Sequence, residues 1–506
     1  MPTGSRMNYN ILVLCDFNRR SANTIIDHAT SFKKYSRHNI FYVNPVGRSK
    51  PEWLNLSKFD ILIIHYSIYV LGDHYINPSW RDAITLSPAV KIQFIQDEYR
   101  RVNEFIDRMK ELNINVLYTC FPEGEIEKVY PAYKLPGVAK FNTLTGYVPS
   151  YLDNAAPNLR RRRPIDVGYR GRGEGFWWLG TLYQEKSFIG REFLRHAART
   201  ELTCDISTRE EDRIYGSRWI QFLRQCRCTL GTESGASVID FNGRIEDRVR
   251  QYCEQHPSAT FEEVRVRFFK DVEGQVRMNQ ISPRVFESIG CGCGLILFEG
   301  EYSKILMPDV HFIPLKKDFS NIGDVFDKIR DRTFIRTMAE RSFKDVLQSG
   351  AYSYKTFVSS FDRNLDRYMG AAPRGVRQEN MRGLSAMPGT RQGVFAGLSA
   401  AQTSLTRPEN DSPLQPAALG NRLHSCLRIG IRILGVMGKS LRILSRMFVR
   451  FATELYRRFR LSGKRIGAAS RYWIRRCLHF SERVIRFHPF FLAEKLKLLV
   501  KIIRQV

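Results

Sequence analysis

The apolar residues of the first 150 positions fall into short unbroken runs separated by longer stretches of helical periodicity. Asn10-Ile-Leu-Val-Leu-Cys15 has the length of a buried strand, and a helix-like stretch over about 21–36 follows Asp16. Ile40–Val43, Ile61–Ile64, Lys91–Ile95 and Asn115–Tyr118 repeat the run. A strand apolar on both faces must be covered on both. Such runs alternating with helices therefore predict a parallel sheet between two helical layers.

Four arginines at 160–163 and Pro164 introduce a second series. Strands are predicted at 165–169, 202–206, 228–231 and 295–298, and helices at 186–199, 213–226 and roughly 321–369. Ser282 followed by Pro283 marks a helix start, and Gly290 its close. The fold class is α/β, with two tandem Rossmann-like doubly wound domains over 1–155 and 164–370. From 371 to 420 the composition turns to Gly, Ala, Pro, Ser, Gln and Arg, which predicts a flexible linker. Residues 421–506 form a basic, helical extension.

Charge changes the picture only at that end. The chain carries a formal net charge of +28, and residues 422–506, with 21 Lys/Arg against 3 Asp/Glu, supply +18 of it. Arg428, Arg432, Lys439, Arg442, Arg446, Arg450 and Arg457 recur at helical steps, with Leu427, Ile431, Leu434, Leu441, Leu444, Phe448 and Leu455 on the other face. A cationic face backed by bulky apolar residues suits an interfacial helix on anionic lipid. A small helical domain packing on the body is the structural alternative. Nucleic-acid binding is disfavoured, because phosphate contacts do not need so much exposed Leu and Phe.

No apolar stretch approaches the roughly 20 residues that cross a bilayer, and no secretory leader precedes the first strand. The expected location is cytoplasmic, peripheral to the inner face of the plasma membrane. The ten cysteines are scattered. Cys226/Cys228 and Cys291/Cys293 lack the spacing of structural zinc sites and read as small buried residues.

Doubly wound sheets bind ligands beyond the carboxyl ends of their strands. In the second half, Arg170 and Arg172 in Gly168-Tyr-Arg-Gly-Arg-Gly173 follow the first strand, among glycines that let backbone approach phosphate oxygens. Arg284 sits in the first turn of the helix at Pro283, whose positive end favours an anion. Glu287, one turn on, is a candidate acceptor for ribose hydroxyls. In the first half Asp16, His65 and Asp97 each follow a strand, and His65 or Asp97 is the candidate base for an acceptor hydroxyl. A strand-end His is more often structural. No convincing Asp-x-Asp presents a metal to a diphosphate, so no metal and no cofactor are expected, the nucleotide-sugar being a substrate.

The run Arg284-Val-Phe-Glu287-Ser-Ile-Gly-Cys-Gly292 resembles the signature of group-1 GT-B glycosyltransferases. Phe59–Ser67, Phe94–Arg100, Leu230–Asp240 and Tyr302–Asn321 are similar to blocks of bacterial surface-polysaccharide glycosyltransferases, so the likeness spans about 10–370. It implies a nucleotide-sugar donor in the second domain and a glycan or glycolipid acceptor in the first. It maps the family's Arg…Lys phosphate pair onto Arg170 or Arg172 with Lys186. Where many such enzymes carry a second glutamate, this chain has Asn279, and Glu233 is the candidate to replace it. That departure keeps a catalytically inactive scaffold open as an alternative to an active enzyme.

Overall fold

The computed structural model describes residues 8–16, 22–152, 157, 159 and 161–371, all within one compact unit. The expected linker beyond 371 and the basic extension lie outside the described residues. Six parallel strands make the first sheet: β1 (Asn10–Leu14), β2 (Asn39–Val43), β3 (Ile61–Ile64), β4 (Val90–Phe94), β5 (Val116–Thr119) and β6 (Ala139–Asn142), in the order β2-β1-β3-β4-β5-β6. Between them run α1 (Asn23–Tyr35), α2 (Pro78–Leu86), α3 (Val102–Glu111) and α4 (Glu123–Val129). Every residue of β3, β4 and β5 is buried, including Lys91 and Gln93 of β4, as central strands covered on both faces require. Alternate side chains feed two cores: Leu12, Leu14, Leu62 and Ile64 on one face, Ile11, Val13, Ile61 and Ile63 on the other.

The second half begins with β7 (Ile165–Arg170), α5 (Thr181–Ala197), β8 (Cys204–Ser207), α6 (Ser217–Leu223) and β9 (Cys226–Gly231). An antiparallel pair, β10 (Ser234–Ala236) and β11 (Met278–Gln280), encloses α7 (Arg244–Gln255) and α8 (Phe261–Phe268). Then come α9 (Pro283–Gly290), β12 (Gly294–Phe298), β13 (Ile313–Leu315), α10 (Ile322–Arg330), α11 (Arg332–Ser342) and α12 (Tyr354–Ala371). The second sheet is parallel, in the order β13-β12-β9-β7-β8. Two parallel, Rossmann-like sheets in tandem match the expected α/β class.

The last helix amends the expected boundary at 370. On α12, Phe357, Val358, Phe361 and Leu365 join Phe32 and Phe94 in the core of the first half. Asp362 accepts hydrogen bonds there from Ser36 Oγ (2.9 Å) and the Arg37 N–H (3.2 Å). The stretch between β10 and β11 is likewise shared, since Ile239, Val276 and Met278 pack into the first half's core. Its strand pair requires Gly235 (φ +131°), because a Cβ there would lie 1.6 Å from the Met278 carbonyl oxygen. The helix expected over 213–226 shrinks to α6, since Gly216 turns at φ +62° and Cys226 already belongs to β9. Buried Cys226, Cys228, Cys291 and Cys293 are free thiols; Arg163 donates to the carbonyls of Cys226 and Cys291 (2.7 Å each) and fastens the inter-half segment.

Candidate functional site

In the second sheet the chain passes from β7 to β8 on one side and then to β9 on the other. The carboxyl ends of β7 and β9 therefore diverge, and a crevice opens between them. A cavity of about 330 Å³ occupies it, lined by Gly171 and Arg172 beyond β7, Gly231 and Thr232 at the end of β9, and Ser282, Arg284 and Ser288 on α9. Asp97 and Tyr99, beyond β4 of the first half, close it from the opposite side. The site is a cleft between the two sheets.

All four expected cations, Arg170, Arg172, Lys186 and Arg284, line this cavity together with Asp97, and their partners differ. Arg172 donates to the Tyr183 hydroxyl (3.0 Å) and lies over the Phe176 ring (5.6 Å). Lys186 lies over the Tyr183 ring (4.6 Å); burial pulls its ammonium down to about 8, against the attraction of Asp97. Arg284 lies over Trp219 (5.1 Å) and donates to the Arg170 carbonyl. None of these three is ion-paired among the described residues. Arg170 is different: it pairs with Asp205 (2.7 Å), donates to the Asp205 carbonyl (2.9 Å) and covers the Phe222 ring (4.5 Å). It is a wall element, with its charge already neutralised. Ser282, at the N-cap position of α9, makes no side-chain capping bond; Pro283 has no N–H and the Val285 N–H donates to the Ser282 carbonyl (2.9 Å), so the Arg284 N–H is the first-turn donor left uncapped by Ser282.

Asp97 is exposed, accepts from the Tyr99 hydroxyl (2.8 Å) and has a left-handed backbone (φ +53°). Such a conformation persists only when its surroundings fix it. Here neighbouring Glu98, fully buried, accepts from Thr119 Oγ1 (2.7 Å), Tyr130 Oη (2.6 Å) and the Cys120 N–H (2.6 Å). On the other flank Arg100 makes two 2.6 Å bonds to Glu246, and the Asp240 N–H donates to the Tyr99 carbonyl (2.9 Å). The carboxylate is held at the cavity from both halves.

Three expected site residues are placed elsewhere. His65 is 0 % exposed, with Nε2 3.0 Å from His28 Nδ1 and Nδ1 2.9 Å from Ser67 Oγ. Burial and His28 hold its ring well below the usual imidazole range, and both ring nitrogens are taken by protein partners outside the cavity lining. Glu233 does lie beside Asn279, which donates to both its oxygens (3.2 Å each), but the N–H groups of Glu301 (3.1 Å) and Tyr302 (2.7 Å) complete its shell. Its carboxylate shapes a loop and does not line the cavity. Glu287 is turned to Trp219 and stands behind the cavity wall.

No family model and no curated protein matches this sequence. Solved structures do. The T4 phage enzyme BGT in complex with its UDP-glucose substrate is similar at a TM-score of 0.41 and 10% identity, over 72% of this chain and 99% of that one. Alr3699/HepE of Anabaena with UDP-glucose is similar at 0.39 and 11%, over 71% and 100%. TarM follows at 0.35 and 10%, over 60% and 53%.

Tyr99, Tyr183, Trp219 and Arg213 also line the cavity, and sequence reasoning passed over them. Tyr183 sits three residues before the helix start at 186 that periodicity suggested. That helix begins earlier, at Thr181, because Glu273 Oε1 accepts the Thr181 N–H (2.7 Å). The same carboxylate fills the N-terminal end of α5 and leaves α9 as the helix terminus that faces the cavity.

Proposed function

We propose that the cleft transfers a sugar from a nucleotide-activated donor to an acceptor hydroxyl, without a metal. One observation carries this: Arg172, Lys186 and Arg284, three cations free of carboxylate partners among the described residues, surround the start of α9 and face Asp97 across the cavity. A diphosphate needs that cationic shell, both in the bound donor and as the departing group. Asp97 takes the proton of the acceptor hydroxyl as the bond from the sugar to the diphosphate breaks.

The acceptor we assign is a surface polysaccharide or glycolipid, met at the cytoplasmic membrane face. Residues 421–506 hold the chain there through their cationic and apolar faces, each Lys or Arg near the surface contributing about 1 kcal/mol. No helix of the described residues is long and apolar enough to cross a membrane. The test is nucleotide release from a panel of nucleotide-sugars by the full chain, repeated with Asp97→Asn. Release by the wild type and its loss in the variant are expected. No release with any donor would favour an inactive scaffold.

A further inference from the structure

The wall of the cavity nearest α9 is a continuous stack. The Arg284 guanidinium lies 5.1 Å from the Trp219 ring, Trp219 stacks on Phe222 (5.6 Å, 24° between planes), and Arg170 covers Phe222 at 4.5 Å. Arg284 ties the two ends by donating to the Arg170 carbonyl. One polar bond orients the central ring: Trp219 Nε1 donates to Glu287 Oε2 at 2.7 Å, with both residues 7 % exposed. An indole has a single N–H, so this bond selects one rotation of the ring. Arg284, Trp219 and Ser288 line the cavity, and Glu287 does not.

We infer that Glu287 is a positioning residue for the donor site: it fixes Trp219, and through Trp219 the plane of Arg284, and does not touch the nucleotide. A guanidinium laid on an indole keeps its edge donors directed into the cavity, whereas one released from the ring samples many rotamers. The inference rests on the proposed donor site and gives Glu287 a role that a direct ribose contact would not share.

A double-mutant cycle separates the two roles. The probe is whichever of UDP, GDP, ADP, CDP and dTDP binds the full-length wild type most tightly by calorimetry. Glu287→Ala should weaken it about tenfold, as loss of one charge-assisted hydrogen bond implies, and Glu287→Gln, which keeps an acceptor for the indole, by about threefold at most. In a Trp219→Phe background, which has no indole N–H, Glu287→Ala should cost nothing further. Equal weakening in both backgrounds would overturn the inference, because it would mean direct contact with the ligand. Unchanged affinity in Glu287→Ala would overturn it too. The Trp219 indole resonance, assigned by its loss in Trp219→Phe, should move in Glu287→Ala without any ligand, and an unmoved resonance also refutes the positioning bond. If no diphosphate binds the wild type while that resonance does move, the donor-site proposal fails and the Trp219–Glu287 bond stands.

Discussion

Lys186 gives the sharpest quantitative test, because function and stability should respond to it in opposite directions. Burial among Tyr183, Arg172 and Arg284 lowers its ammonium from 10.5 to about 8. Below about pH 8 the unliganded protein therefore holds a cation it would rather lose, a penalty relieved as pH rises from the folded value toward the unfolded one. Lys186→Gln removes that charge, so the unliganded variant should melt higher at pH 7, by about 2–4 °C per kcal/mol relieved. Its affinity for a nucleoside diphosphate should fall about 10- to 150-fold, the worth of a charge-assisted bond of roughly 1.5–3 kcal/mol. The wild-type affinity should be flat from pH 7 to about 8 and decline up to about tenfold per pH unit above, since binding must then take up a proton. Lys186→Arg should abolish that alkaline limb, because arginine stays charged. Calorimetric titrations at pH 7, 8, 9 and 9.5, with thermal denaturation of the unliganded proteins, cover all of this. A flat wild-type profile, or a limb surviving in Lys186→Arg, would refute the role given to this amine.

Asp97→Asn should slow transfer by about 100-fold or more while diphosphate affinity stays within about threefold, since a base acts on the chemical step and not on binding. His65→Ala should lower thermal stability by about 1–3 kcal/mol through its broken bonds to His28 and Ser67, with diphosphate affinity unchanged, as paired melting and titration curves would report. Activity should survive EDTA; complete loss restored by magnesium or manganese would remove Arg172, Lys186 and Arg284 as the sole neutralising charges. Deleting 421–506 should leave a soluble body that no longer co-sediments with anionic vesicles, while Ser at Leu434, Leu441 and Phe448 should weaken binding even at low salt. Preferential binding of the full chain to duplex DNA at matched salt would contradict the membrane role.

What was legible in the sequence follows from burial. β1, β3 and β12 are buried on both faces and therefore read as nearly unbroken apolar runs, whereas β4 is interrupted by Lys91 and Gln93 and β9 by the half-buried Arg227. β6, Ala-Lys-Phe-Asn at the sheet edge, is only half-buried, and β13 is three residues with a central proline, so neither carries that signal. β10 and β11 are likewise three residues each and are separated by two helices. Helices were expected to fill roughly 321–369, but periodicity does not say which core a stripe covers, and α12 covers the other half's. Strand-end positions named Asp97 and His65 equally; only the packing of His28 and Ser67 around one ring tells them apart. Arg172 and Arg284 were named because phosphate chemistry calls for cations at strand and helix ends, and Lys186 because the family resemblance implied it. Trp219 and Tyr183 were not, because an aromatic on a helix reads as core until the neighbouring element is known.

The central claim is that a nucleoside diphosphate sits at the start of α9, with its phosphates on Arg172 and Lys186. The most direct measurement is a crystal structure of the full-length chain with the tightest-binding diphosphate. The expected result is phosphate oxygens within hydrogen-bond distance of Arg172, Lys186 and the Arg284 N–H at the start of α9, with Asp97 facing the terminal phosphate. A diphosphate bound outside this cavity, or inside it with its phosphates away from Arg172 and Lys186, would contradict the account.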